Sequence, residues 1–565
     1  MNLRTLFIGV IVLMLPFTSR GVEVKEVVWG YDGGIIPETF NYLHVLIQNP
    51  TLENEEGKLI FTNGNSLQKY GAPISVKFFL SGGASKWVHV LFYINPDEET
   101  WNLSTQSGPI LKEMELPTPK ASKNEGIFLQ ARDDLTSPAV GLKRMSEDVF
   151  PLYPIGLDQM RSVVLDHTPD WDSTRKANFM QWLERGGVLH VLNDSVGRPP
   201  EFNGDLGPLN QPLGVETQLN LFRHALTKNE FHASILSQQE LAAPLITLDY
   251  KTTIEELMNT LVLDAVKPTF NWGIISLLVM VYFICAGPVA IHYGFKHKKY
   301  RKSLGYICSL SVVFSLAFIL LGWQGPKKKC EVFSLLNAVQ WSPGTFETTS
   351  YTGLAVGKGG SYTVRYRKPL LSAFAVLGFR QSGVLIHQGT ESALAMDIPR
   401  MSTKYFMHKG IIKDQPYEFE IIKTDEPRLE VKLKADNPLG VMPVYQAWIL
   451  DKDSVIQLNP IKNHWVEKSR ITKTEFFALN HTSFERQFNQ TQKITPLMDR
   501  AMKLMISQNV FGFNGKIQNY QPPPPGLLLL VISDIPEAMK LDPSVSAKET
   551  GRALLEFHLP RKQSL

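Results

Sequence analysis

The sequence predicts a multidomain membrane protein: a β-sandwich, a doubly wound α/β domain of flavodoxin-like type, a two-helix transmembrane hairpin and a C-terminal β-rich domain. Three observations carry that expectation. No Asp, Glu, Lys or Arg occurs between Lys267 and Lys296, and a second uncharged run extends from Ser303 to Pro326. At about 1.5 Å per residue each run can cross the roughly 30 Å of hydrocarbon in a bilayer. Short alternating apolar segments fill the chain before residue 110 and return after Cys330, which is the period-two signature of half-buried strands. Between them, apolar runs enclose a helical pattern, as in a parallel sheet with helical crossovers.

Taken in order, the chain opens MNLRTLFIGVIVLMLPFTSRG, with Arg4 ahead of an apolar run. This predicts a signal peptide over residues 1–22; left uncut it would be an anchor, and either outcome exports the domain behind it. VKEVVWG, YLHVLIQN, GKLIFTN, APISVKFFL and KWVHVLFYI then predict an immunoglobulin-like sandwich over residues 23–110, with Trp87 and Trp101 as core residues. A polar linker is expected at 111–126.

From residue 127 to 250, IFLQARD, SVVLDH, VLHVLN and ITLDY read as buried parallel strands. The segment DSTRKANFMQWLERGG reads as a helix capped by Asp172 or Ser173, with Phe179, Met180 and Leu183 on one face. A ligand site in such a domain lies beyond the carboxyl ends of the strands. There the sequence delivers Asp166, His167 and Asp170 after one strand and Asn193, Asp194 and Ser195 after the next. The residue types of a Ser/His/Asp hydrolase are present, with Ser195 as nucleophile and His167 and Asp166 as its partners. Ser195 is followed by VGRPP rather than by the tight turn into a helix that a nucleophile elbow requires, so no confident catalytic residue emerges.

The run from Tyr153 through GLDQMRSVVLDH and FMQWLERGGVLHVLND resembles the class I glutamine-amidotransferase-like module of large bacterial membrane proteins. In those proteins the module sits between an extracytoplasmic β-sandwich and transmembrane helices, and a β-rich tail closes the chain. GPVAIHYGFKHKKYRKSLGYI resembles their membrane turn. A working amidotransferase of this class has a Cys directly after the strand corresponding to VLHVLN. The domain has no Cys here, so the resemblance implies the fold without its nucleophile.

The hairpin is expected to consist of helices over 270–293 and 303–324, joined by a loop at 294–302 that carries Lys296, Lys298, Lys299, Arg301 and Lys302. These five cations set the topology: the positive-inside rule puts the loop in the cytoplasm and both flanking regions outside. Pro288 is expected to disturb the first helix. Beyond it, residues 330–565 predict further strands, Met498, Met502 and Met505 belong to a core, and GLAVGKGGS reads as a hairpin turn because Gly359 follows Lys358 where a phosphate loop needs Ser or Thr.

Composition narrows the function. A net charge of +4 over 565 residues gives no nucleic-acid signature. All three cysteines lie in or beside the hairpin, so the soluble regions have neither a disulfide framework nor a Cys-based metal site. No cofactor and no metal are expected. The chain reads as a non-catalytic integral protein of a bacterial inner or plasma membrane, a scaffold presenting extracytoplasmic or periplasmic domains to other envelope proteins. The alternatives are a hydrolase using Ser195 or a nearby carboxylate, and an accessory subunit of a transport or secretion complex.

Overall fold

The computed structural model describes residues 21–30, 33–35, 40–64, 69–94, 100–107, 110–121, 126–130, 143–151, 155, 162–184, 188–193, 196–210, 222–226, 272–297, 300–323, 330–367, 369–376, 383–388, 391–400, 402–423, 429–434, 437–451, 454–472, 475–476, 498, 502, 505–506, 526–543 and 548–560. It is a mostly β, multidomain architecture.

The first sheet pairs Glu23–Trp29, Phe40–Gln48 and Ser85–Tyr93 antiparallel. Alternation along Phe40–Gln48 decides its two faces: Leu43, Val45 and Ile47 enter one core, while Phe40 and Tyr42 enter another. Opposite the first face stand Glu55–Gly64, Lys69–Leu80 and Trp101–Ser107. Between the sheets Phe92 is met edge-on by Trp29, Phe61 and Trp101 at 5.4, 5.2 and 4.8 Å between ring centroids. Trp101 is core, as its position predicts. Trp87 packs, half-buried, against a different cluster, that of the α/β body. The stretch expected to be a linker instead supplies Ile110–Glu115 as an edge strand and Lys120–Ala121 as a partner of Gly34–Ile35.

This sandwich does not end where the N-terminal region ends. Lys69–Leu80 pairs in parallel with Val384–Gln388, placing Ile74 opposite Leu385. The sheet then continues through Glu391–Ile398, Gly360–Tyr366 and Leu541–Pro543 to eight strands. Chain from before and after the apolar helices therefore shares one sheet and one core.

An eleven-stranded sheet forms the rest of the C-terminal region, with Cys330–Ser342 and Lys548–Pro560 parallel neighbours near its middle. Gly526–Ser533 is apolar without alternation because both of its faces are covered: Leu527, Leu529 and Val531 join one cluster, and Leu528, Leu530 and Ile532 the other. Met498, Met502 and Met505 are buried in that second cluster. GLAVGKGGS is a corner rather than a hairpin, since the strands on either side, Thr345–Val356 and Gly360–Tyr366, belong to different sheets. Gly359 is required there, because a Cβ would stand 2.7 Å from the Arg400 nitrogen.

The α/β body is a five-stranded, all-parallel sheet in the order Lys143–Ser146, Gly126–Gln130, Ser162–Leu165, Val188–Leu192, Phe222–Leu226. Helix Ser173–Glu184 buries Phe179 and Leu183 against it, and Asp172 Oδ1 caps the helix by accepting from Arg175 N at 2.8 Å. The expected strand ITLDY lies outside the described residues.

Two apolar helices come next. The first runs Trp272–Ile284, widens to a π-helical turn at Cys285–Val289 and resumes as Ala290–His297. Pro288, which has no N–H to donate, sits in the widened turn. The second runs Tyr300–Trp323. They meet where Tyr282 Oη lies 3.1 Å from Ser311 Oγ and its ring packs edge-on against Phe314. Gly273–Lys296 is long and apolar enough to cross a membrane; the second apolar stretch, Leu304–Ile319, is shorter.

Candidate functional site

In chain order the parallel strands run 2-1-3-4-5, so the strand order reverses between the paired strands 1 and 3, and beyond their carboxyl ends is where a ligand site in such a sheet is looked for. Strand Ser162–Leu165 ends there in Asp166 and His167, and strand Lys143–Ser146 ends in Glu147, buried at the start of a short 3-10 turn. Ser146 Oγ caps that turn by accepting from Asp148 N at 3.3 Å. Beside its neighbour in sequence, His167 Nδ1 lies 2.8 Å from Asp166 Oδ1. Its Nε2 lies 3.4 Å from Glu147 Oε2, as an ion pair rather than a well-directed hydrogen bond.

Glu147 is held from behind. Its Oε2 accepts from Asp170 N at 3.1 Å and its carbonyl accepts from Trp171 Nε1 at 3.0 Å. Trp171 in turn stacks on Phe150. Arg175 latches the helix to the same turn, donating to the carbonyls of Phe150 and Asp148 at 3.0 and 3.1 Å and to Asp172 at 2.8 Å. Burial works against a charge on His167, but the hydrogen bond and charge of Asp166, joined by Glu147, overcome it and raise its pKa.

The structure thus brings together Asp166 and His167 from the expected trio; Ser195, with Asp194, lies outside the described residues. Glu147 is the partner that sequence reasoning missed. The Ser-Glu-Asp run at 146–148 is a helix-start signal that marks the turn, but not the strand order that carries it to His167. Chemically the cluster is closed. A triad histidine needs one nitrogen turned toward an acidic partner and the other toward the nucleophile, whereas here a carboxylate faces each. Among the described residues no three His, Cys, Asp or Glu side chains are placed to hold a metal ion. A groove of about 710 Å³ lies elsewhere, on the first apolar helix; Ser276 is the one hydroxyl among lining residues such as Met280 and Phe283, and no titratable group joins them.

Two pH responses are expected. A raised His167 pKa stabilises the folded state below the unfolded value of about 6.5, and that contribution is lost as pH rises through the folded value. Glu147→Gln keeps an acceptor for Asp170 N but removes one charge. The substitution is expected to cost about 1–3 kcal/mol near neutrality and to flatten the loss of stability on the alkaline side, read as denaturation midpoint against pH.

The opposite sign applies to His44 and His89, whose Nδ1 atoms lie 2.7 Å apart on the sandwich face turned toward the α/β body. Burial lowers both pKa values, that of His89 to about 4, with His89 and Arg175 adding to the effect on His44 and Arg175 to that on His89. The unfolded chain therefore takes up protons first. Stability is expected to fall below about pH 6.5, by about 2 kcal/mol at pH 5 from His89 alone, and a His89→Gln variant should lose that part of the pH dependence in thermal melts.

A second polar cluster, in the C-terminal region, is closed as well. His408 lies 2.6 Å from Tyr366 Oη through Nδ1 and 2.9 Å from Thr352 Oγ1 through Nε2, and the chain continues through Ser334 to Glu549. Burial pushes His408 down to about 3 and raises Glu549, so burial disfavours charge at both ends of the network.

No protein-family model and no curated protein matches the sequence. Among solved structures, a Bacteroides uniformis β-glucuronidase aligns at 11 % identity over 31 % of this chain and 22 % of its own, with a TM-score of 0.12. This chain thus spans about a fifth of that protein. A Paenibacillus cycloisomaltooligosaccharide glucanotransferase aligns at 6 % identity over 80 % and 98 %, at 0.16. The Escherichia coli α2-macroglobulin, from its MG7 domain to its C-terminus, aligns at 9 % over 73 % and 96 %, at 0.14. Superpositions this loose carry no argument about the chain.

Proposed function

We propose that this protein is a non-catalytic, membrane-anchored envelope scaffold that presents its β-rich body and its α/β module on one side of a bilayer to other envelope proteins. The observation that carries the reading is the histidine between two carboxylates: Asp166 and Glu147 face its two nitrogens and favour its charged form, which disfavours the neutral base that a Ser195 nucleophile needs. The 2-1-3-4-5 strand order supports a doubly wound, amidotransferase-like module, and the absence of cysteine from it fits a fold kept without its nucleophile.

Three features support the anchor. The first apolar helix combines length and hydropathy with side chains such as Leu277, Met280 and Phe283 that are at least 60 % exposed. Trp272 opens that helix and Trp323 closes the second, where aromatic residues at a membrane interface belong. The shared eight-stranded sheet adds a parity argument: a single crossing would separate strands that are hydrogen-bonded neighbours, whereas two return the chain to the same side.

The test is cysteine labelling in intact membranes with an impermeant maleimide, in a chain whose three cysteines are replaced by serine. Probes at Leu111 and Val441, which are 63 % and 90 % exposed, are expected to react from one side, and a probe at Lys299 from the other. Reaction of 111 and 441 from opposite sides overturns the reading.

A further inference from the structure

We propose that the turn between the apolar helices is a binding surface for the phosphate headgroups of anionic phospholipids; this rests on the anchor reading and goes beyond it. Five cations, Lys296, Lys298, Lys299, Arg301 and Lys302, fall within seven residues. Lys296 closes the first apolar helix while Arg301 and Lys302 open the second, and all three are exposed. None of the three has an ion-pair partner among the described residues.

The chain cannot supply the missing counter-charge locally. No Asp or Glu occurs from Ala265 to Cys330. Positive-inside sorting by itself asks only for an excess of Lys and Arg near helix ends; placing five within seven residues of sequence adds mutual repulsion that an anionic surface relieves. Lipid is favoured over free phosphate because Lys296, Arg301 and Lys302 stand at the facing ends of the two apolar helices, and near a membrane surface each Lys or Arg contributes a roughly five-fold preference. Phe295, 68 % exposed, precedes Lys296, and Tyr306, 40 % exposed, follows Lys302 by about one helical turn, near where aromatic rings sit in an interfacial belt.

The experiment uses the full-length chain in vesicles of phosphatidylcholine alone or mixed equally with phosphatidylglycerol. Flotation reports insertion, and native mass spectrometry after solubilisation reports retained lipid. The wild type is expected to float with both vesicles and to retain phosphatidylglycerol over phosphatidylcholine by at least tenfold, less so at high salt. A variant with all five cations changed to Gln is expected to float equally well and retain the two lipids alike. A wild type that floats without headgroup preference, or a variant that keeps it, overturns the proposal and leaves the anchor standing. Loss of retained phosphatidylglycerol to inorganic phosphate at matched ionic strength also overturns it, assigning a free-anion site instead. A wild type that floats with neither vesicle overturns the anchor itself.

Discussion

Phe92→Ala is expected to destabilise the sandwich by about 3–5 kcal/mol. The ring is fully buried and stands at the centre of three edge-to-face contacts, with Trp29, Phe61 and Trp101. Removing it opens a cavity whose walls are themselves large rigid rings, which relax poorly into the space. Trp29 is also tied by Nε1 to the Pro117 carbonyl, which limits its freedom to tilt inward. Phe92→Leu keeps much of the apolar volume without the ring geometry and is expected to cost about 1.5 kcal/mol. The measurement is the denaturation midpoint followed by tryptophan fluorescence. A shift for Phe92→Ala no greater than that for Phe92→Leu would show that the ring is not central.

The sequence makes the central strands easy to read and hides the edges. Phe40–Gln48 and Ser85–Tyr93 read as strands because their apolar residues enter a core on each face, and Ser162–Leu165 and Val188–Leu192 are short apolar runs because both of their faces are buried. The two α/β strands missed by periodicity, Lys143–Ser146 and Phe222–Leu226, are the outer strands of that sheet. An edge strand has one neighbour and tolerates residues such as Lys143, Arg144 and Arg223, so no apolar run marks it.

The same difficulty explains the candidate site. Asp166 and His167 are legible because they directly follow a readable strand. Glu147 lies 20 residues earlier at the end of an unreadable one and reaches His167 only through the strand order. Pairing between distant segments is equally silent. Nothing local in Cys330–Ser342 specifies Lys548–Pro560 as its parallel neighbour, and the mutual fit of two apolar faces leaves no pattern in either segment alone.

That non-local pairing makes the second large effect a test of how the halves of the chain depend on each other. Leu385→Asp lies beyond the apolar helices in sequence, yet it is expected to unfold the N-terminal sandwich. Leu385 is 5 % exposed and sits opposite Ile74 in the parallel pairing that joins the two halves, within the core that also holds Phe61 and Phe92. A carboxylate there has no partner, and burying it unpaired is expected to cost about 4 kcal/mol or more. The alternative of swinging into water would pull Val384–Gln388 off its neighbour and expose the edge of Lys69–Leu80. Leu385→Val, which trims the side chain without charge, is expected to cost about 1 kcal/mol. The discriminating reading is hydrogen exchange in Glu55–Gly64 and Trp101–Ser107: loss of protection there in the Asp variant means the sandwich is completed by strands from beyond the helices. Full protection would mean it folds alone, and the parity argument for two membrane crossings would then lose its support.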